Sequence, residues 1–229
     1  MTQKRGMEND DTGEHNGLNA ASDTWLPAPA ELATIFSEVY TERLILRRLR
    51  AGDAPALFAV DGDPATHRYN PTGPDPDIAA SEKRLRDWLQ HWEDEGYGYW
   101  AVMLRMQEQV LGFGGVKHML WRERDVLNLY YRFTPSVWGQ GYASELARTA
   151  LDLAQAHLPP WPIVAITRAG NIASQRTVAR VGLILIRSLW SLRWAGQPLM
   201  TLRAVKVAKT QNITMGADFG VVHRRRIGD

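Results

Sequence analysis

Tyr130-Tyr131-Arg132-Phe133-Thr134-Pro135-Ser136-Val137-Trp138-Gly139-Gln140-Gly141-Tyr142-Ala143-Ser144-Glu145 is the stretch on which the reading of this chain turns. The run Val126 to Phe133 reads as a β-strand, Gly139 and Gly141 as a turn, and from Gly141 to His157 the apolar spacing Leu146, Ala150, Leu153, Ala154 is helical. A helix N-terminus presents N–H groups without partners inside the helix and a partial positive charge. Glycines let a phosphate approach such a backbone with no Cβ in the way. Strand, glycine turn and helix start together fit a pyrophosphate-binding loop, although Gly-x-Gly-x-Ala by itself is equally explained by a tight turn with no ligand.

Two familiar phosphate loops are excluded by the surroundings. A dinucleotide-binding loop calls for glycine or alanine where Ser144 stands and for an acidic strand end about twenty residues later. That distance falls on Leu158-Pro159-Pro160-Trp161. No Gly-Lys-Ser/Thr follows the glycines, so the loop is not that of a nucleoside triphosphatase.

Outward from this stretch the elements alternate. Arg43 to Leu49 reads as a first strand, and Asp53 before Ala54-Pro55-Ala56 as the N-cap of a helix. Asp61 to Asp77, rich in proline, reads as a loop. Leu85, Trp88, Leu89 and Trp92 at i, i+3, i+4, i+7 make an amphipathic helix, its tryptophans more simply core residues than a cover over substrate. Tyr99 to Leu104 and Val110 to Val116 form a hairpin, and Gly112, Gly114 and Gly115 in its second arm mark a bulge or a close backbone approach. After a polar turn around Arg122 to Asp125 come the strand Val126 to Phe133 and the long helix. A buried strand Ile163 to Thr167, a helix Ala173 to Val181 and two closing strands, Leu183 to Trp190 and Leu199 to Val207, follow. The class is mixed α/β (α+β), antiparallel pairs predominating.

Composition bounds the rest. The 229 residues suit one sizeable domain with tails: a flexible N-terminal tail over 1–38, a folded domain over 39–207 and a polar, basic C-terminal tail over 208–229 that carries Arg224, Arg225 and Arg226. A net charge of +2 does not ask for nucleic acid, and the three arginines read more simply as a solvated end. The absence of cysteine removes disulfides, thiolate metal sites and a cysteine nucleophile. No apolar run approaches the ~18 residues of a membrane span, and the expectation is a cytoplasmic protein with no membrane partner.

Trp138-Gly139-Gln140-Gly141-Tyr142-Ala143-Ser144-Glu145 resembles the coenzyme A pyrophosphate loop of GNAT acetyltransferases, and is especially similar to the RimJ/RimL branch of ribosomal-protein N-terminal acetyltransferases. Thr41-Glu42-Arg43-Leu44-Ile45-Leu46-Arg47, Leu111-Gly112-Phe113-Gly114-Gly115-Val116 and Asn171-Ile172-Ala173-Ser174-Gln175-Arg176 with Val181-Gly182-Leu183 sit in the matching order. The likeness spans roughly residues 40 to 206. It implies the GNAT fold, a mixed, mostly antiparallel twisted sheet flanked by helices, in which Val126 to Phe133 and Ile163 to Thr167 splay apart around the pantetheine arm.

It further implies acetyl-CoA as acyl-donor cosubstrate, no metal, a primary amine as acceptor, and a monomer or homodimer. Pantetheine would pair with the backbone of Tyr131, Arg132 and Phe133, and pyrophosphate with Trp138, Gly139, Gln140, Gly141, Tyr142, Ala143 and Ser144. The backbone near Tyr131 would stabilise the oxyanion. Asn171 would hold the cofactor arm and Ser174 assist thiolate departure. The local reading of Asn171, a helix N-cap with Ser174 at N3, is compatible with that role.

Relatives in this branch often carry a glutamate base where this chain has Asn128, and an amide removes no proton. Glu123, His118 and His91 are the other candidate bases, each read more simply as a solvated side chain. Without a strong base an α-amine, of pKa ~7.7 to 8, is a better acceptor than a lysine at ~10.4. The competing expectation is an acyl-CoA-binding or sensing protein of the same fold with weak turnover.

Overall fold

In a computed structural model, residues 27–70, 72–121, 123–187, 192–194, 197–199 and 201–206 are described. Leu44 and Leu46 point to one face of strand β2 (Leu44–Arg48) and are fully buried. The period-2 alternation thus sets the first layer of the core. β2 pairs antiparallel with β1 (Glu38–Tyr40) and with β3 (Tyr99–Leu104). β3 pairs with β4 (Val110–Trp121), with a register shift between Val102 and Met103, and β4 with β5 (Arg124–Phe133) over ten residue pairs. The eight-stranded sheet runs β1-β2-β3-β4-β5-β6-β10-β7, with β6 Ile163–Arg168, β7 Ile184–Arg187 and β10 Thr201–Lys206. β8 (Leu192–Trp194) and β9 (Gln197–Leu199) form a separate hairpin.

One helix layer lies over each face of the sheet. Helix α2 (Ala54–Asp61) and the long α3 (Ile78–Glu95) cover one face, where Trp88 of α3 packs edge-on against Tyr99 at 5.1 Å. Helix α4 (Tyr142–His157) covers the other with buried Leu146, Ala147, Ala150, Leu151 and Ala154, and α5 (Ile172–Arg180) follows β6.

Several sequence expectations are corrected. The flexible tail expected over 1–38 is folded from Pro29: α1 (Pro29–Phe36) buries Leu32 and Phe36, one turn apart, and β1 extends the sheet edge. Polar composition averaged over 38 residues concealed this short i, i+4 stripe. Residues 1–26, and the basic tail with Arg224 to Arg226, lie outside the described residues. Asp53 is the N-cap residue of α2, as expected, but its carboxylate makes no cap bond to that helix. It accepts two hydrogen bonds from Arg47 (2.8 and 2.6 Å) and one from the Arg50 amide. The stretch Asp61 to Asp77 is no simple loop: it contains a 3-10 turn, Pro64–His67, and buries Asp61, His67 and Asp75.

Candidate active site

β5 and β6 are the parallel pair in the sheet, and they stay together briefly. Only Leu127 with Ile163 and Asn128 with Val164 are in register; beyond them β5 continues to Phe133 and β6 to Arg168. β4 holds the other edge of β5 throughout, and β10 holds that of β6. The result is a gap between two rigid edges, open at the strands' C-terminal ends, the end at which open sheets with parallel strands bind ligands.

The segments leaving the two strands frame this mouth. After β5 a 3-10 turn, Pro135–Val137, leads into Gly139 and Gly141, both in left-handed conformation (φ 78° and 83°), with Gly141 as N-cap of α4. In front of a Cβ at Gly139 there is no atom within 4 Å. The first-turn amides of Tyr142 and Ala143 have no acceptor within the helix. That of Ser144 is used internally, donating to Gly141 O at 3.0 Å. The donors on offer therefore centre on Gly139 to Ala143.

A brace from the other end of the chain holds this loop. Arg43, just before β2, donates to Gln140 O (2.9 Å) and to Glu145 Oε2 (2.7 Å), and its guanidinium lies 4.6 Å over the Tyr142 ring. Glu145 Oε1 also accepts from Thr41 Oγ1 (2.6 Å) and the Arg43 amide (2.9 Å). Burial alone would raise the Glu145 pKa, but these hydrogen bonds and the Arg43 charge overcome it and hold the carboxyl below its usual range. Trp138 turns back, its indole donating to Phe133 O at 2.8 Å.

On the β6 side, Asn171 caps α5, its Oδ1 accepting from the Ser174 amide at 3.1 Å. The structure brings Ser174 and Tyr131 together: Ser174 Oγ lies 2.8 Å from Tyr131 Oη. Arg132 points to the opposite face, where Nη1 donates to Asp61 Oδ1 (2.7 Å) and to His67 Nε2 (2.5 Å). Any role of Arg132 in the gap is therefore through its backbone. Arg132 can only donate, so His67 Nε2 is unprotonated and the ring is neutral. Burial, then the Arg132 charge, likewise lowers the His67 pKa. Arg84 completes the group with Nη1 2.9 Å from Asp61 Oδ2 and a contact to Asp75. Two carboxylates thus face two guanidiniums beneath the sheet.

Above that group, Tyr130 and Tyr99 pack at 5.0 Å, and Asn128 Nδ2 donates to Tyr99 Oη at 2.6 Å. Burial pushes both phenols above their ordinary range, so both are neutral donors. Tyr130 Oη, Thr167 Oγ1 and Arg168 Nη2 are buried with no hydrogen-bond partner, and they belong to the two strands that flank the gap.

The other candidate bases lie elsewhere. Glu123 is exposed in the β4–β5 turn. His118, opposite Leu127 and four residues from Tyr131 along the ladder, roughly 13 Å at 3.3 Å per residue, is held by Asp125 at 2.7 Å. His91 packs against Tyr97, and burial lowers its pKa to about 4. Among the described residues no group of three or more His, Asp or Glu is arranged to hold a metal ion, and no helix is long and apolar enough to cross a membrane.

Comparison with known proteins agrees with this geometry. The family model of the acetyltransferase (GNAT) domain matches residues 43–184. The protein YkkB of Bacillus subtilis (strain 168) is 27% identical over 158 residues, 64% of this chain and 85% of that one. The N-acetyltransferase p20 of Bacillus licheniformis is 29% identical over 118 residues, 50% of this chain and 64% of that one. Among solved structures, the ribosomal L7/L12 α-N-protein acetyltransferase RimL in complex with coenzyme A shares the fold, with 16% identity and a TM-score of 0.61, covering 74% of this chain and 96% of that one.

Proposed function

Because the chain belongs to the GNAT acetyltransferase family and is an acyltransferase, we propose that it moves an acetyl group from acetyl-CoA to a primary amine, by direct attack on the thioester. The acceptor class is a protein N-terminal α-amine or a small-molecule amine of similar basicity. The observation that carries this reading is the parallel pair that separates beyond Asn128 and Val164, with a glycine-bearing helix start at its mouth. The gap accepts an extended arm along the free edge of β5, and the amides from Gly139 to Ala143 accept a pyrophosphate. The proposal takes the enzyme as cytoplasmic, acting as a monomer or homodimer without nucleic acid.

The chemistry follows from the groups present. The amine nitrogen forms a bond to the thioester carbon, negative charge gathers on the carbonyl oxygen, and backbone N–H groups of β5 near Tyr131 stabilise it. The C–S bond then breaks with Ser174 beside the departing sulfur. No carboxylate stands at Asn128, and Tyr99 and Tyr130 are too weakly acidic to serve as phenolate bases. The amine must therefore arrive neutral.

That requirement is the test. With an α-amine peptide and a lysine side-chain analogue as paired acceptors, kcat/KM should rise with pH along each amine's own titration. The peptide should be favoured by about 200- to 400-fold near pH 7, from the difference in neutral fraction. A pH-independent kcat/KM for both, or a preference for the lysine analogue at neutral pH, contradicts it. A sensing protein with weak turnover is the second reading, favoured by Asn128 itself; it requires saturable CoA binding with no thiol release for either acceptor.

A further inference from the structure

A serine hydroxyl is a weak partner for a departing thiolate, and Ser174 is not alone. Tyr131 reaches it from the neighbouring strand: Tyr131 Oη lies 2.8 Å from Ser174 Oγ and 3.2 Å from the Ser174 carbonyl oxygen. These two contacts allow two arrangements of the same atoms. In one, the phenol donates to the Ser174 carbonyl and the serine hydroxyl donates to Tyr131 Oη, so that its proton faces away from any third group. In the other, the phenol donates to Ser174 Oγ, and the serine proton is free to point elsewhere.

Resting on the acetyl-transfer reading above, we propose that the Tyr131 hydroxyl is a positioning group that orients the Ser174 hydroxyl toward the departing sulfur, making a two-hydroxyl donor chain from strand β5 through helix α5 to the thiolate. In such a chain each donor polarises the next, and a hydrogen bond onto an anion is about twice as strong as one between neutral groups. During transfer the N–C bond forms and the C–S bond breaks, the sulfur taking the electron pair. The proton shed by the nitrogen ends on the sulfur. Neither hydroxyl gains or loses a proton overall; they hold the charge in between. Burial, partly offset by hydrogen bonds from Ser174 and Thr177, raises the Tyr131 pKa and keeps the phenol protonated, as a donor must be.

This role differs from that of the Tyr131 backbone, which lies in the ladder with Gly114 whatever the side chain does. It also explains a half-buried hydroxyl in a strand position that a phenylalanine would fill equally well. The pair joins the two elements that border the gap, so the donor chain forms only when β5 and α5 keep their present spacing.

The test uses the full chain and free CoA. In the complex, ultraviolet absorbance of the thiolate, read against the desulfo-CoA complex across a pH range, gives the pKa of the bound thiol. Tyr131→Phe removes one oxygen and keeps the ring. It should raise that pKa by about one unit, so that about tenfold less thiolate is present at a given pH, and should lower kcat about tenfold with KM for acetyl-CoA changed less than about twofold. Ser174→Ala should do the same or more, and the double variant no more than Ser174→Ala alone. In Ser174→Thr, which keeps a hydroxyl, Tyr131→Phe should again raise the thiol pKa. An unchanged bound-thiol pKa in Tyr131→Phe, or additive losses in the double variant, overturns the donor chain alone. Failure of the folded wild type to bind CoA overturns the acetyl-transfer reading with it.

Discussion

Gly114→Ala puts one methyl group where the strand that carries Tyr131 can least accept it. The new Cβ would lie 2.6 Å from Tyr130 O, 2.9 Å from Tyr131 Cα and 3.1 Å from Leu146 Cδ2. Carbon atoms settle at about 3.5 to 4.0 Å from one another, so the gap is short by roughly 0.6 to 1 Å against Tyr131. Two of the three opposing atoms are backbone, fixed by the ladder in which Gly114 faces Tyr131, so no rotamer relieves the contact. Overpacking of this kind costs about 1 to 3 kcal/mol, and displacing a catalytic backbone group by ~1 Å costs up to about a hundredfold in rate. Gly52→Ala is the control, because nothing lies within 4 Å of its Cβ; it should be neutral or stabilising by about 0.4 to 1 kcal/mol. Urea unfolding gives the first quantity and steady-state thiol release from acetyl-CoA the second. A Gly114→Ala protein as stable as Gly52→Ala, with undiminished kcat, would refute the claim that β4 sets the position of Tyr131.

Two further outcomes are expected. His91 has a folded-state pKa of about 4 against an ordinary 6.5. Its contribution to stability is complete above pH 6.5 and is lost as pH falls towards 4, because the unfolded chain takes up a proton that the folded one refuses. The slope it contributes is at most about 1.4 kcal/mol per pH unit. His91→Leu should flatten the unfolding midpoint over that window, and an unchanged slope rules the residue out as its source. Asp61→Ala should cost about 3 to 5 kcal/mol in urea, since it leaves Arg132 and Arg84 facing each other half-buried without their shared anion. Arg132→Met in the same chain should recover part of that loss; a single-variant cost below about 1 kcal/mol means the ion group is solvated.

Much of this architecture was legible because it is local. Leu85, Trp88, Leu89 and Trp92 announce α3, and Gly139 and Gly141 announce the turn before α4, since each pattern is complete within a few residues. Gly112, Gly114 and Gly115 signalled a close approach, realised as the contacts of β4 with β5 and β3. The rest depends on partners far apart in the chain. Arg43 and Glu145 are separated by 102 residues, and Arg132 and Asp61 by 71. No spacing rule joins them, although an acid in the first turn of α4 at Glu145 was a visible invitation to a cation. The Tyr131 hydroxyl was missed for a related reason. A strand position reveals which face a side chain takes, and only the folded β5–β6–α5 unit shows that Ser174 waits there. Asp53 was rightly placed as the N-cap residue of α2, but the spacing could not show that its carboxylate is taken by two charge-assisted bonds from Arg47 instead of a cap bond.

The most direct test of the central claim is a calorimetric titration of the full chain with acetyl-CoA, wild type beside Gly141→Asp. Aspartate is a favourable N-cap residue and tolerates the left-handed conformation that Gly141 adopts, so α4 should persist. Its carboxylate, however, places an anion at the helix start proposed to hold pyrophosphate. Saturable binding by wild type, weakened at least about tenfold in a Gly141→Asp protein that still unfolds cooperatively, is the predicted result. Equal binding by both proteins would move the cofactor away from the glycine loop, and no binding by the folded wild type would contradict acetyl transfer from acetyl-CoA altogether.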